Sequence, residues 1–310
     1  MSKPVSTRTF QVETDGFYGM YYPHPESSKY AIIAMLGDSC EDYLAAKGVA
    51  WLHDQGLNVL AMSPAAADYS LHDFPLERFQ TAIQWLQGEG NAKVGFMGAS
   101  TTGMLGLLVA SHYPDVTMTI VISPSDWVME GYYQENSVER PGDNESTVTF
   151  KGKQLPYLPF PYRHPEHNQK LKEEAKRTHN MVAARELFDE AERRCPMTED
   201  MRIKVEDIKG TLMLLGAEDD CLWDTCRYIR RMEKVLAEKP HDCDVHVLTY
   251  EHGTHFLFPQ TMLEKMLPMG PSLLPRIFFK AARDFPKECH ETRLDVNDEV
   301  TTELKKWMAE

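Results

Sequence analysis

The chain has 310 residues, and 47 acidic against 33 basic side chains give it a formal net charge of −14. This acidic excess opposes non-specific binding to nucleic acid or to an anionic membrane surface, because a polyanion approaches against the summed field. No apolar run reaches the roughly 18 residues of a membrane helix, and the opening residues lack the apolar core of a signal peptide. We therefore expect a folded cytoplasmic protein without a nucleic-acid or membrane partner.

Strand-like and helix-like segments alternate along most of the chain. After an entry hairpin formed by TFQVET and GFYGMYYP, the strand-like segments are AIIAML, NVLAM, KVGFMG, TMTIVI, GTLMLLG and DVHVLTY. The helix-like segments between and after them are YLAAKGVAWLHDQG, PLERFQTAIQWLQ, TTGMLGLLVASHY, DTCRYIRRMEKVLAEK and the C-terminal DEVTTELKKWMAE. Such alternation predicts crossover units and a mainly parallel sheet with helices on both faces.

Residues 125–205 interrupt this alternation. They contain the Tyr/Pro-rich stretch LPYLPFPYRHPEH and a highly charged helix-like run. No linker separates independent domains, so we expect one domain over 1–310, with 125–205 as a cap inserted in it. Aromatic residues of the cap, or at its edge, are candidates to line an apolar pocket: Trp127, Tyr132, Tyr133, Tyr157, Phe160 and Tyr162.

The string KVGFMGASTTGMLGLLVASHY predicts a nucleophile. A hydrophobic strand runs directly into Gly98-Ala99-Ser100 and then into an apolar helix, which is the setting of a nucleophile elbow. Such a turn would hold the Ser100 hydroxyl at the edge of the sheet. The spacing is G-x-S-x-x-G, because Thr102 stands where the usual motif has glycine, and an ordinary serine helix cap would give similar letters.

An acid and a base follow two later strands. GTLMLLG leads to Glu218, Asp219 and Asp220, and DVHVLTY leads to His252 and His255. The order serine, acid, histidine is that of α/β-hydrolase triads. We predict Asp220 and His255, because 35 residues between them leave room for one helix and one strand; Glu218, Asp219 and His252 stay as alternatives.

A serine nucleophile also needs an oxyanion hole built from two backbone N–H groups. Thr101, which follows the nucleophile, is the first candidate. The second is expected from the GDSCED turn, at Asp38 or Ser39. The proposed chemistry requires no cofactor and no metal, and the six dispersed cysteines form no zinc-like spacing.

These motifs resemble the α/β-hydrolase domain shared by acyl-CoA thioesterases and bile acid-CoA:amino acid N-acyltransferases. LGDSCED is similar to the family's early loop, GASTTGM to its elbow and AEDDCLW to its acid loop. STVTFKGKQLPYLPF is similar to the family's W-T-Y-x-G-K-x-L-P-Y-x-P segment. The resemblance implies an α/β-hydrolase fold, with Ser100 as nucleophile, Asp220 as acid and His255 as base.

Three departures shape what the resemblance implies. Only about 30 residues precede AIIAML, so the chain resembles the family's catalytic domain standing alone, without the N-terminal β-sandwich of eukaryotic members. The conjugating enzymes typically carry cysteine at the elbow, so Ser100 favours hydrolysis. Asp38, Glu41 and Asp42 replace the family's glycine-rich loop and would repel coenzyme A phosphates if they face the site.

We therefore expect a serine hydrolase of small-molecule acyl thioesters. A carboxylesterase, an acyltransferase to an amine or alcohol, and a catalytically silent ligand-binding scaffold are the alternatives. Coenzyme A binding would call for basic side chains near the entrance. Lys151, Lys153 and Arg163 are candidates, although such residues more often form a solvated face.

Overall fold

The computed structural model describes residues 5–36, 39–64, 70–131, 145–159, 168–267 and 270–310. Its strands are β1 (Arg8–Phe10), β2 (Tyr18–Tyr22), β3 (Tyr30–Met35), β4 (Asn58–Ser63), β5 (Phe74–Pro75), β6 (Lys93–Ala99), β7 (Val116–Ile122), β8 (Val148–Phe150), β9 (Lys153–Gln154), β10 (Lys209–Ala217) and β11 (Asp242–Tyr250). Its helices are α1 (Val12–Asp15), α2 (Tyr43–Asp54), α3 (Glu77–Gly88), α4 (Thr101–His112), α5 (Asn168–Thr178), α6 (Arg185–Arg194), α7 (Thr225–Glu238), α8 (Gln260–Met266), α9 (Leu273–Phe278), α10 (Lys280–Asp284) and α11 (Pro286–Ala309).

Eight strands form the central sheet in the order β1-β2-β4-β3-β6-β7-β10-β11. Strand β2 runs antiparallel to β1 and β4, and the remaining neighbours pair in parallel. All carboxyl ends of the parallel strands therefore meet at one edge. In an open sheet of this kind, ligands bind outside that edge.

Both faces of the sheet are covered, and this explains its continuous apolar strands. Successive residues of β3 alternate between two separate core clusters, with Ile33 in one and Ile32 in the other. Helices α3, α4 and α7 contribute to the first cluster, whereas α2, α8 and α11 contribute to the second. The expected doubly covered, mainly parallel sheet is confirmed.

Several element boundaries differ from the expectation. The segment TFQVET is not one strand, because β1 ends at Phe10 and residues Val12–Asp15 form a helical turn closed by Gly16 in the left-handed region. Pro75 does not begin α3; it pairs with Thr149 of β8 instead. The C-terminal helix begins at Pro286, which suits the first turn of a helix because proline has no N–H to leave unpaired there.

The insertion between β7 and β10 packs onto the main body. Strands β5, β8 and β9 form a small second sheet, and α5 and α6 follow it. Trp127, Val148 and Phe188 lie in the same core cluster as Leu212 of β10. We keep 125–205 as the proposed bounds of a cap within a single domain. No helix in the described part of the chain is long and apolar enough to cross a membrane.

Candidate active site

Ser100 lies on the tight turn between β6 and α4. Its φ of 61° and ψ of −127° place it outside the regions that L residues usually adopt, and its N–H donates to the carbonyl of Ile122 at 2.8 Å. Although Ser100 occupies the N-cap position of α4, its side chain makes no capping hydrogen bond. The hydroxyl is therefore not used as a helix cap, and the strained turn is the geometry of a nucleophile elbow.

The residues around Ser100 explain its unusual spacing. A Cβ at Gly98 would lie 2.5 Å from the carbonyl oxygen of Thr102, so only glycine allows this approach. The Thr102 hydroxyl accepts from the N–H of Ala99 at 2.9 Å and lies 2.8 Å from the carbonyl oxygen of Met35. Thr102 thus replaces the usual glycine by bonding the elbow to the end of β3.

Asp220 and His255 meet at the carboxyl ends of neighbouring strands. Strands β10 and β11 pair in parallel, and the Glu218 N–H extends the ladder to the carbonyl of Tyr250. Beyond this pair, the Oδ2 atom of Asp220 lies 2.8 Å from Nδ1 of His255. The carboxylate is fully buried and the imidazole is 4% exposed. The structure thus brings together the two residues that the sequence predicted as acid and base, and those roles stay predictions.

Fixed donors orient the Asp220 carboxylate. Its Oδ1 accepts from the N–H of Leu222 at 2.9 Å, and its Oδ2 accepts from the Thr225 hydroxyl at 2.6 Å. With its orientation fixed by these donors, the carboxylate accepts the Nδ1–H of His255. The pair therefore selects the tautomer that leaves Nε2 able to take a proton.

Trp223 and Ser123 hold the imidazole in place. The indole ring meets the His255 ring edge to face, with centroids 4.8 Å apart and planes at 90°. Its Nε1–H donates to the Ser123 carbonyl at 3.1 Å, and the Ser123 hydroxyl donates to the His255 carbonyl at 3.2 Å. The W of AEDDCLW was visible in the sequence, but nothing there showed that it would touch the base.

Ser100 and His255 line the same cavity. Nε2 of His255 is buried and has no hydrogen-bond partner among the described residues. Catalytic hydrogen bonds are often long in a free enzyme and tighten only with substrate. The imidazole nitrogen that triad chemistry uses is thus left without a partner among the described residues, on a histidine that lines the same cavity as the serine.

The cavity has a volume of about 460 Å³ and is mostly apolar. The segment that follows His255 contributes more of its wall than any other, and the residues there are Phe256, Phe258, Leu263, Met266, Leu267, Leu274, Phe278 and Phe279. Val182 is the contribution of residues 125–205 in the described part of the chain. Trp127 and Tyr157 do not line the cavity; Trp127 is wholly buried and Tyr157 packs against the core. Tyr132, Tyr133, Phe160 and Tyr162 lie outside the described residues.

The oxyanion-hole candidates have different surroundings. Thr101 is the first residue of α4, lines the cavity, and so lies where the positive end of the helix dipole faces the site. The N–H of Ser39 donates to the Asp42 carboxylate at 2.7 Å, and this bond takes it away from a substrate oxygen. Asp38 lies outside the described residues. Ser39 is therefore a poor candidate on this geometry, and Thr101 and Asp38 stay predictions.

The alternative acids and base are placed elsewhere. Glu218 pairs with Arg230 at the surface, at 2.6 Å. Asp219 pairs with His252, whose Nδ1 lies 3.2 Å from the carboxylate, and burial raises the pKa of Asp219. Neither Asp219 nor His252 lines the cavity. Each of the two adjacent aspartates thus takes a different histidine.

The sequence matches a known protein family. The family described as BAAT / Acyl-CoA thioester hydrolase C terminal matches residues 74–262, well over half of the chain. The chain belongs to this family. The matched range of the BAAT / acyl-CoA thioester hydrolase family contains Ser100, Asp220 and His255. No curated protein matches the sequence significantly.

Solved structures with the same fold differ widely in sequence. MGS-M1, an α/β-hydrolase enzyme from a Medee basin deep-sea metagenome library, is similar with a TM-score of 0.52 and 12% identity, over 100% of both chains. The Pyrococcus furiosus esterase Pf2001 is similar with a TM-score of 0.51 and 14% identity, over 99% of this chain and 98% of that one. The fold of this family member is thus the α/β-hydrolase fold, as the resemblance implied.

Few ionisable side chains line the cavity of this family member in the described part of the chain. Among the described residues of the cavity wall, Asp42 and His255 are the ones with an ionisable side chain. Lys151 and Lys153 are exposed and do not line the cavity, and Arg163 lies outside the described residues.

One group of side chains in the described chain is close enough together to hold a metal ion: Asp244, His246 and Glu303. It lies on β11 and α11, away from the cavity, and Lys306 forms ion pairs with Asp244 and Glu303.

Proposed function

We propose that the protein is a serine hydrolase that cleaves acyl thioesters through Ser100, His255 and Asp220. The observation that carries the proposal is the buried Asp220–His255 pair: His255 lines the same apolar cavity as Ser100, and its Nε2 has no hydrogen-bond partner among the described residues. A cavity with mostly apolar walls and few polar groups suits an acyl chain with one reactive carbonyl. Membership in an acyl-CoA thioester hydrolase family supports the thioester as the bond attacked.

The proposed reaction has two halves. Ser100 Oγ attacks the carbonyl carbon while His255 Nε2 takes its proton, and Asp220 stabilises the imidazolium that forms. The N–H of Thr101 stabilises the oxyanion at the start of α4. The C–S bond then breaks, and the imidazolium gives its proton to the leaving thiolate. Water then attacks the acyl-enzyme carbonyl while His255 takes its proton, the C–O bond to Ser100 breaks, Oγ regains the proton from the imidazolium, and the carboxylic acid leaves.

The first experiment measures free-thiol release from a chain-length series of acyl-CoAs, with p-nitrophenyl esters as comparison. We expect a chain-length optimum and loss of turnover in Ser100→Ala. Ser111→Ala is the matched control, because this serine lies at the other end of α4 and its hydroxyl bonds only its own helix and the neighbouring His112. Turnover of Ser100→Ala at the wild-type rate would exclude the mechanism.

A carboxylesterase is the second candidate, and Asp42 is the observation that favours it. Its carboxylate forms part of the cavity wall, where it repels the phosphates of coenzyme A and leaves a neutral ester unaffected. The same acyl group carried on coenzyme A and on neutral N-acetylcysteamine separates the two. Asp42→Asn keeps an acceptor for the Ser39 N–H, so a rise in kcat/KM for acyl-CoA alone would identify charge as the cause. Turnover of oxygen esters alone, dependent on Ser100, would establish the esterase.

A further inference from the structure

Asp219 is a half-buried acidic residue that the proposed reaction does not use. Its side chain is 17% exposed, and it precedes the acid Asp220 directly. Burial raises the pKa of Asp219, and hydrogen bonds from the backbone of Thr254 and Gly253 oppose that rise. Since a buried carboxylate is costly unless it is paired, its partners show what it stabilises.

All three partners of Asp219 lie immediately before His255. Oδ1 accepts from the N–H of Gly253 at 3.1 Å and from the N–H of Thr254 at 2.7 Å, and Oδ2 lies 3.2 Å from Nδ1 of His252. One carboxylate thus bonds three consecutive residues of the loop that carries the base. Hydrogen bonds to a charged acceptor are stronger than those between neutral groups.

Thr254 has a backbone conformation that needs such support. Its φ is +64°, in the left-handed region that β-branched residues rarely adopt, and it is buried. On the other side, a Cβ at Gly253 would lie 2.1 Å from Leu257 and 3.1 Å from Ala217, so the backbone is packed against the end of β10. If Thr254 relaxed to negative φ, the following residue, His255, would turn with it.

The outer part of the loop is anchored to the C-terminal helix. The His252 ring stacks on Phe285 with centroids 3.8 Å apart, and its carbonyl accepts from the Thr292 hydroxyl at 2.6 Å. His252 is therefore held in place without making contact with the cavity. Asp219 joins this anchored end to the strained residue beside the base.

We propose that Asp219 is a positioning residue for His255: it bonds the N–H of Gly253 and holds Thr254 in the left-handed conformation that directs the imidazole toward Ser100. This inference rests on the proposed function, because it assigns Asp219 a part in that reaction. Asp220 fixes the Nδ1 side of the ring, and Asp219 fixes the backbone from which the ring projects. Two adjacent aspartates thus orient one histidine in two different ways.

The experiment compares substitutions of Asp219 with a control in the same loop region. Asp219→Ala is expected to lower kcat about 10²-fold, the cost of a misplacement of about 1 Å, with KM little changed because Asp219 does not line the cavity. Asp219→Asn retains an oxygen that accepts both N–H groups and is expected to keep most of the activity. Glu251→Ala is the control, because Glu251 is 86% exposed and lies next to His252.

A double variant tests directly whether Asp219 acts on the backbone conformation of Thr254. Glycine adopts the left-handed region without strain, so Thr254→Gly in the Asp219→Ala background is expected to recover about tenfold in kcat. If Asp219 contributed only to overall stability, the losses in kcat caused by Asp219→Ala and by Thr254→Gly would add in the double variant. A double variant slower than Asp219→Ala alone would overturn the proposal.

Urea unfolding of each variant checks that the chain is folded, and active-site titration with a fluorophosphonate counts reactive Ser100. If Asp219→Ala does not fold, Asp219→Ser replaces it. The serine hydroxyl is one bond too short to reach the N–H groups of Gly253 and Thr254, so the same loss in kcat is expected. Wild-type turnover in a folded Asp219→Ala or Asp219→Ser variant, with Ser100→Ala inactive, refutes the positioning role and leaves the proposed function intact. Full turnover in Ser100→Ala and His255→Ala refutes both.

Discussion

Asp220→Asn tests the assignment of the acid, because the two oxygens of this carboxylate have different neighbours. The Leu222 N–H bonded to Oδ1 belongs to the backbone and cannot turn away. The single oxygen of an asparagine must therefore take the Oδ1 position, which places the NH₂ group where Oδ2 meets Nδ1 of His255. An NH₂ group there requires Nδ1 to accept, so the imidazole proton moves to Nε2. The histidine can then no longer take the proton of Ser100.

The expected loss follows from this wrong tautomer. The same substitution in serine-protease triads lowers kcat by about 10⁴-fold, and about 10³- to 10⁴-fold here corresponds to about 4 to 5.5 kcal/mol. KM should change little, because Asp220 does not line the cavity. Stability should change little as well, since the Thr225 hydroxyl can turn from donating to accepting.

The assay is kcat with a saturating p-nitrophenyl ester, alongside urea unfolding of the same preparations. Asp242→Asn is the matched control for the chemical change, because Asp242 is a surface residue, 76% exposed, that pairs with Lys209 away from the site. A folded Asp220→Asn enzyme within tenfold of the wild type would show that Asp220 does not hold the base.

Three further predictions concern the elbow, the cavity and the core. Gly98→Ala should abolish ester turnover and fluorophosphonate labelling, because its Cβ would collide with the Thr102 carbonyl 2.5 Å away and open the turn. Leu274→Trp should fill part of the cavity and shift the optimum to shorter acyl chains, with about tenfold or more lost in kcat/KM for each methylene excluded, measured across the acyl series. Asp126→Asn should lower the free energy of unfolding in urea by about 3–5 kcal/mol, because Arg231 makes two bonds to this buried carboxylate, at 2.7 and 2.6 Å.

The sequence was sufficient to locate the strands of the parallel part of the sheet along the chain and to nominate Ser100, Asp220 and His255, whose roles stay predictions. Parallel strands buried on both faces read as unbroken apolar runs, and the loops after them begin where those runs end. Ser100, Asp220 and His255 each follow such a run, so their meeting at one edge was a consequence of topology. The strained turn at Ser100 and the hydrogen bond between Asp220 and His255 agree with the positions of these residues after successive strands.

The residues of the cavity wall could not be predicted from the sequence in the same way. The sequence analysis predicted the wall from the aromatic residues of the insertion, whereas the largest part of it comes from two short helices, α8 and α9, and the phenylalanines that flank them. Helices of six or seven residues show hardly two turns of periodicity, so hydrophobic periodicity does not reveal them. The contact between Trp223 and His255 depends on the path of a loop, which no local pattern encodes.

Arg185 has a consequence for how such a protein can change over evolutionary time. From the first turn of α6 it donates to the carbonyls of Glu218 and Asp220 and pairs with Asp224. The proposed cap is thereby tied to the loop that carries the proposed acid. Exchange of the insertion between relatives, whether by recombination or by design, should yield working enzymes only where the incoming piece brings an equivalent cation to this loop.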